Sequence, residues 1–234
     1  MSSPPRISVL IPAYEEAPTI EGVIRRVVEL GLDCEILAVD DGSTDGTAEV
    51  LRRLEGELPA LRVIIRPANG GKGAALRDAI AASRGEFVVV QDADLEYDPA
   101  DLPKLLAPLL SGVADVVYGT RLRGGEPQRA HLFWHYAGNR FLSLVTNVLF
   151  NTTISDMEVG YKAFRGELIR GLTLVSDDFR FEPEVTAKVL KIPGVRLYEL
   201  PISYYGRTVA EGKKITWRDG YRALGALIRF RVMP

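Results

Sequence analysis

Through residue 120 this chain alternates short apolar runs with amphipathic stretches, and that alternation restricts its fold more than any other property. Apolar runs at 6–11, 35–40, 62–66, 86–91 and 114–119 predict strands, and the stretches at 17–30, 45–56, 71–84 and 99–111 predict helices. Strands joined through helices run parallel, so the expectation is an α/β chain with a mostly parallel, doubly wound sheet. Its 234 residues suffice for one domain with a sizeable core. After 120 the pattern loosens. Segments at 131–150, 181–191 and 215–231 predict helices, and short strands are expected near 159–164, 195–200 and 202–205. The simplest organisation is a single domain over 1–234, with a C-terminal helical elaboration.

Open α/β sheets bind ligands beyond the carboxyl ends of their strands, so the residues there come next. The run Phe87–Val90 leads into Asp92, Asp94 and Glu96. In extended backbone these alternate residues share a face. Three converging carboxylates repel one another unless a cation joins them, and hard oxygen ligands suit Mg²⁺ or Mn²⁺. The plainer reading is an acidic turn before a helix opened by Asp98-Pro99. The first strand runs into Ile11-Pro12-Ala13-Tyr14-Glu15-Glu16, where a dinucleotide fold would need G-x-G-x-x-G. Here Pro12 stiffens a loop presenting Tyr14 and Glu16, which suits stacking on a base and hydrogen bonding to it; a helix entry capped near Glu15 or Thr19 is the alternative. The second strand ends in Asp40 and Asp41, placed to accept from ribose hydroxyls or a base N–H. Residues 69–76, Asn-Gly-Gly-Lys-Gly-Ala-Ala-Leu, fail the P-loop spacing. A Gly-rich loop opening a helix still predicts an anion site, with Lys72 reaching inward; a plain left-handed turn is the alternative.

Composition excludes some classes. A net charge of −2 argues against a general nucleic-acid binder. The single cysteine, Cys34, rules out an internal disulfide and suits a reducing compartment. No signal-peptide pattern opens the sequence, and no run approaches the roughly 18 apolar residues of a spanning helix. His131 and His135 lie at i, i+4, but no third histidine completes a zinc set.

Together, Ile11-Pro12-Ala13-Tyr14-Glu15-Glu16, Val39-Asp40-Asp41-Gly42-Ser43-Thr44-Asp45-Gly46, Asn69-Gly70-Gly71-Lys72-Gly73 and Asp92-Ala93-Asp94 resemble family 2 glycosyltransferases, which have the Rossmann-like GT-A fold. Tyr118-Gly119-Thr120-Arg121, Ser155-Asp156-Met157-Glu158, Gly160 to Arg165 and Tyr205-Gly206-Arg207 through Lys214 look like the dolichol- or polyprenyl-phosphate hexosyltransferase branch, which includes dolichol-phosphate mannose synthases. The resemblance covers nearly the whole chain. It implies a nucleotide-sugar-binding half, 1–120, and an acceptor half, 121–234. It assigns Pro12, Ala13, Tyr14, Glu16, Asp40, Asp41, Lys72, Asp92 and Ala93 to the nucleotide, and Asp92, Asp94 and Glu96 to the metal. Arg121 and Arg207 would contact phosphates, with Lys213 and Lys214 nearby. Asp156 is the catalytic candidate near the acceptor: a base toward a hydroxyl, an orienting group toward a phosphate monoester; an N-cap or an Arg165 salt bridge is the alternative. Glu96 departs from the several mannose synthases that carry Gln there.

The implied reaction is inverting, metal-dependent transfer of mannose or glucose from GDP-mannose or UDP-glucose to a polyprenyl phosphate, in the cytoplasm or peripherally on the cytoplasmic face of a membrane. Many relatives carry C-terminal membrane spans, and this chain ends at Pro234 without one. The apolar excess of 131–150 and the set Trp217, Tyr221, Leu224 and Ile228 among arginines in 215–231 predict membrane-interface helices; packing on the sheet is the alternative. Two other readings remain: a soluble acceptor, and a non-catalytic nucleotide-sugar-binding module. A nucleotidyltransferase would show a Gly-rich basic loop after the first strand, where this chain has Pro-Ala-Tyr-Glu-Glu.

Overall fold

The structure, a computed structural model, describes residues 5–129, 133–206 and 217–233, with backbone alone at 217–219. Strands β1 (Ile7–Ala13), β2 (Cys34–Asp40), β3 (Leu61–Ile65), β4 (Phe87–Val90), β5 (Val116–Thr120), β6 (Lys162–Arg165) and β7 (Leu197–Pro201) form one sheet in the order β3-β2-β1-β4-β6-β5-β7. Only β6 is antiparallel to its neighbours; the other pairs are parallel. The helices are α1 (Ile20–Glu29), α2 (Thr47–Glu57), α3 (Lys72–Ala82), α4 (Leu102–Leu110), α5 (Phe133–Phe150), α6 (Gly166–Gly171), α7 (Phe181–Leu190) and α8 (Trp217–Val232).

The sequence pattern explains these elements. All four β4 residues are buried, as a central strand covered on both faces requires. Helix α1 buries Ile20, Val23, Ile24 and Val27, one face at i, i+3, i+4 and i+7. Helix α4 repeats the pattern with Leu102, Leu105, Leu106 and Leu109. Each such side chain contributes roughly 1.5–3 kcal/mol on burial.

The strand order reverses between β1 and β4, and β1 pairs with both β2 and β4. The residues that follow these three strands therefore meet at a topological switch point.

Two expectations need correction. Residues 202–205 are not a ladder strand: Tyr204 makes only isolated bridges, to Tyr97 and Gln128. The Asp101 carboxylate takes the Ser203 N–H (2.7 Å) that a ladder would have used. Helix α6 was not expected, and its six residues are too short for a periodic signal.

Helices α5, α7 and α8 pack on one another. Helix α5 buries only Leu142, Ser143 and Thr146, and Phe133, Trp134, Tyr136, Phe141, Leu144 and Val148 stay exposed. In α8 the buried stripe is Ala223, Ala226, Leu227 and Phe230. Of the expected apolar set, Tyr221 and Ile228 are exposed, Leu224 packs on the core, and the Trp217 side chain lies outside the described residues. No helix among the described residues is long and apolar enough to cross a membrane.

Candidate active site

The loops after β1 and β2 are stitched together. Glu15 has φ 53, a left-handed conformation rare for its type. Its N–H donates to Ser43 Oγ (2.9 Å), and its carboxylate accepts from the Thr44 N–H (2.8 Å). The Ala17 N–H donates to Asp45 (3.0 Å). Pro12 is half-buried, Ala13 buried and Tyr14 exposed, so the loop presents an aromatic ring to solvent. Buried Glu16 accepts from the Thr19 hydroxyl (2.8 Å), and its carbonyl from the Ile20 N–H (2.9 Å). Glu16 therefore serves the entry of α1.

Asp40 and Asp41 diverge sharply. Asp40 is 1 % exposed; Oδ2 takes a long bond from the Ser43 N–H (3.3 Å), and Oδ1 is buried with no hydrogen-bond donor. A buried acceptor without a donor calls for a ligand N–H or O–H. Asp41 is filled instead. It accepts from Arg66 and from the N–H groups of Gly70 (3.0 Å) and Gly71 (2.7 Å). In this structure the anion cradled by the Gly-rich loop is the protein's own Asp41. The Ala74 N–H in the first turn of α3 is likewise taken, by the Asp177 carbonyl (3.0 Å). Gly71, at φ 99, admits that close approach, since a Cβ there would stand 2.5 Å from the Asp177 oxygen.

Lys72 does reach inward. Its Nζ lies 2.7 Å from Asp92 Oδ1 and 3.6 Å from Glu182 Oε1. Burial opposes its charge, but the carboxylates of Asp92, Glu182 and Asp94 outweigh burial and raise its pKa. Glu182 also pairs with fully buried Lys162, which donates to the carbonyls of Met157 (3.1 Å) and Val159.

The alternation argument for a carboxylate triad fails. After buried Ala93 the backbone turns, with Leu95 at φ 59, so residues 92, 94 and 96 do not share a strand face. Glu96 accepts from the Tyr204 hydroxyl (2.9 Å), and the described residues hold no cluster of three His, Cys, Asp or Glu poised for an ion. Asp92 and Asp94 remain a hard-oxygen pair suited to Mg²⁺ or Mn²⁺. Gly160 keeps room beside them: a Cβ there would stand 2.3 Å from Asp92 Oδ2. These two carboxylates fit a divalent cation, whereas Glu96 accepts from Tyr204.

On the acceptor side, fully buried Asp156 accepts from Arg121 through its backbone N–H (3.0 Å), Nε (2.7 Å) and Nη2 (2.8 Å), and from Asn139 Nδ2 (2.7 Å). Burial pushes its pKa up, but Arg121 and Asn139 outweigh burial and hold it below the usual carboxylate range. A carboxylate so held is a poor base, and its geometry makes it the clamp on Arg121. Its partner is thus Arg121, while Arg165 pairs with Asp115 (3.0 Å). The Arg121 guanidinium also sits 5.1 Å from the Tyr204 ring centre. Glu199 fixes the adjoining loop by accepting from the Ser155 N–H (2.8 Å) and the Asp156 N–H (3.3 Å) and by ion-pairing with Arg123 (3.0 Å). Glu158 differs from Asp156. Its Oε1 is buried without a hydrogen-bond donor, and burial, then Glu182, lift its pKa to about 7 against Lys162 and Arg121. Arg207, Lys213, Lys214 and His131 lie outside the described residues.

Sequence reasoning did not single out Glu158, Glu182, Glu199, Tyr204 or Asn139. Glu182 stands in the first turn of α7, where acidic residues are ordinary. Of these residues, only Glu158 lies within one of the sequence motifs, the Asp-Met-Glu run.

A mostly parallel sheet with a donor-less buried carboxylate oxygen at its switch point and a carboxylate pair at the next strand end is consistent with a nucleotide-dependent transferase of the GT-A type. The chain belongs to glycosyl transferase family 2, whose model matches residues 8–172. It is 32% identical over 208 residues to glycosyltransferase AglJ of Haloferax volcanii, spanning 88% of this chain and 65% of that protein. It is 29% identical over 220 residues to an undecaprenyl-phosphate mannosyltransferase of Micrococcus luteus, spanning 89% of this chain and 87% of that one. Glucosyl-3-phosphoglycerate synthase from Mycobacterium tuberculosis, solved with Mn²⁺, UDP and phosphoglyceric acid, superposes with a TM-score of 0.76 at 24% identity, covering 98% of this chain and 80% of that one. The chain thus spans just under two thirds of AglJ's length.

Proposed function

We propose that this chain transfers a hexose from a nucleotide sugar, GDP-mannose or UDP-glucose, to a polyprenyl phosphate at a membrane surface, with inversion. One observation carries the reading: Asn139 of α5 donates to Asp156 (2.7 Å), so the helix with the exposed apolar face also touches the clamp on Arg121. A groove of about 260 Å³ beside it is lined by Arg140, Ser143, Leu144, Asn147, Ile154 and Ser155. The mannosyltransferase relative acts, by its name, on undecaprenyl phosphate.

In this reading Asp40 Oδ1 accepts a base N–H, and Tyr14 stacks on the ring. Asp92 and Asp94 hold Mg²⁺ or Mn²⁺; when bound, the ion neutralises charge that develops on the departing diphosphate. Arg121, oriented by Asp156 and backed by Tyr204, presents positive charge to a phosphate oxygen. Arg207, Lys213 and Lys214 add to that charge. A phosphate monoester has a second pKa of about 6, so its oxygen is already anionic at neutral pH and needs no base.

A soluble hydroxyl acceptor is the second reading, and Glu158 favours it: a buried carboxyl with pKa about 7 can take a proton near neutral pH, as Asp156 cannot.

The test is to incubate the purified protein with Mn²⁺, polyprenyl phosphate and a panel of UDP- and GDP-hexoses, and to measure nucleoside diphosphate release. Lipid-dependent release from one donor is expected. Release indifferent to lipid moves the assignment to a soluble acceptor. No release from any donor leaves a non-catalytic nucleotide-sugar-binding module.

A further inference from the structure

Lys72 lies between two carboxylates, half-buried Asp92 and buried Glu182, with unequal claims on it. Asp92 holds it at 2.7 Å, while Glu182 Oε1 stands 3.6 Å away. Glu182 is 4 % exposed, and its Oε1 is buried without a hydrogen-bond donor. A charged acceptor left in that state is costly unless another state of the protein uses it. Its second oxygen is fixed by Lys162, which the carbonyls of Met157 and Val159 hold in turn. Glu182 is therefore a fixed acceptor with one oxygen ion-paired at 3.6 Å but not hydrogen-bonded, and rotation of the lysine tip would close that gap.

We infer that Lys72 is an exchangeable counter-ion, resting on Asp92 in the free protein and passing to Glu182 when a divalent cation takes Asp92. The inference rests on the metal reading above. Without a second carboxylate, the arriving ion would leave an ammonium unpaired at close range, and the two positive charges would repel in a poorly solvated site. With it, each of these charges keeps a partner before and after exchange: Asp92 trades Lys72 for the ion, and Lys72 trades Asp92 for Glu182. Glu182 is thus a positioning residue, acting on the cation site through Lys72.

The experiment is a Mn²⁺ titration followed by the electron paramagnetic resonance signal of the free ion, without nucleotide and again at saturating UDP. It compares the wild type, Lys72→Met, Glu182→Gln and the double variant. Without nucleotide, Lys72→Met should tighten Mn²⁺ binding about tenfold or more, because the resident competitor is gone. Glu182→Gln should weaken it severalfold in the wild type and do little in the K72M background. An equal loss in both backgrounds would reduce Glu182 to a general negative field and overturn the exchange, as would unchanged or weaker binding by Lys72→Met. If Glu182→Gln fails to fold because Lys162 loses its partner, Lys72→Met alone decides by the direction of its effect. Absence of Mn²⁺ binding by every form, with and without UDP, would instead remove the metal assignment itself.

Discussion

Asp40 and Asp41 are adjacent, buried and chemically identical, and their surroundings give them opposite work. Asp40 offers an oxygen that nothing in the protein fills, whereas Asp41 binds Arg66 and two loop N–H groups. Asp40→Ala should weaken UDP or GDP binding about tenfold or more, because a hydrogen bond to a charged acceptor disappears. It should barely move the urea midpoint, since the protein itself makes only the long Ser43 contact. Asp41→Ala should lower stability by roughly 1–3 kcal/mol, by stranding two backbone donors and removing one of the two carboxylate partners of Arg66. Calorimetric binding beside urea unfolding of both variants checks the pair, and interchanged phenotypes would refute the nucleoside role of Asp40. Asp156 and Glu158 show the same separation of roles: one is held ionised by Arg121, the other pushed toward neutrality by burial.

Among the elements, α5 departs furthest from an ordinary surface helix. Its exposed face includes Trp134 at 81 % and Val148 at 75 %, a contiguous apolar surface that water disfavours. Burying one large apolar side chain is worth roughly 1.5–3 kcal/mol, so Trp134→Ser with Val148→Ser should cut co-sedimentation with anionic vesicles at least tenfold. The thermal midpoint should hold, since neither side chain is in the core; unchanged sedimentation would place the face against something other than lipid. The strands of the first half were legible because a buried strand and an amphipathic helix have different periods. The packing face of α8 was not. Trp217, Tyr221, Leu224 and Ile228 read as a membrane-interface set, and of these Tyr221 and Ile228 are exposed, while the helix packs through Ala226 and Phe230 against Ala187 of α7.

Over the whole molecule, the legible part of the site is the part dictated by topology. Once β1, β2 and β4 are neighbours, the residues after them have to meet, and Asp40 and Asp92 follow. What stayed hidden is pairing across the chain: Tyr204 with Glu96, 108 residues away, Arg121 with Asp156, and Lys72 with Glu182. Local spacing carries no record of such partners, so the clamp of Asp156 on Arg121 was not legible. The same long-range pairing clasps the far edge of the sheet. Asp115, just before β5, receives Arg196 (2.7 Å), just before β7, and Arg165 of β6 (3.0 Å). The Arg196 hydrogen bonds, more than Arg165, hold its carboxyl at about 2, below the usual 3.8. A depressed folded-state pKa stabilises the fold above the unfolded value, and that contribution is lost as pH falls through the folded one. Asp115→Asn should therefore destabilise the protein at neutral pH, and the gap from wild type should close as pH falls from about 4 toward 2. Urea unfolding of both proteins across that range measures the gap; a difference that persists unchanged to pH 2 would mean that the clasp works through shape rather than charge.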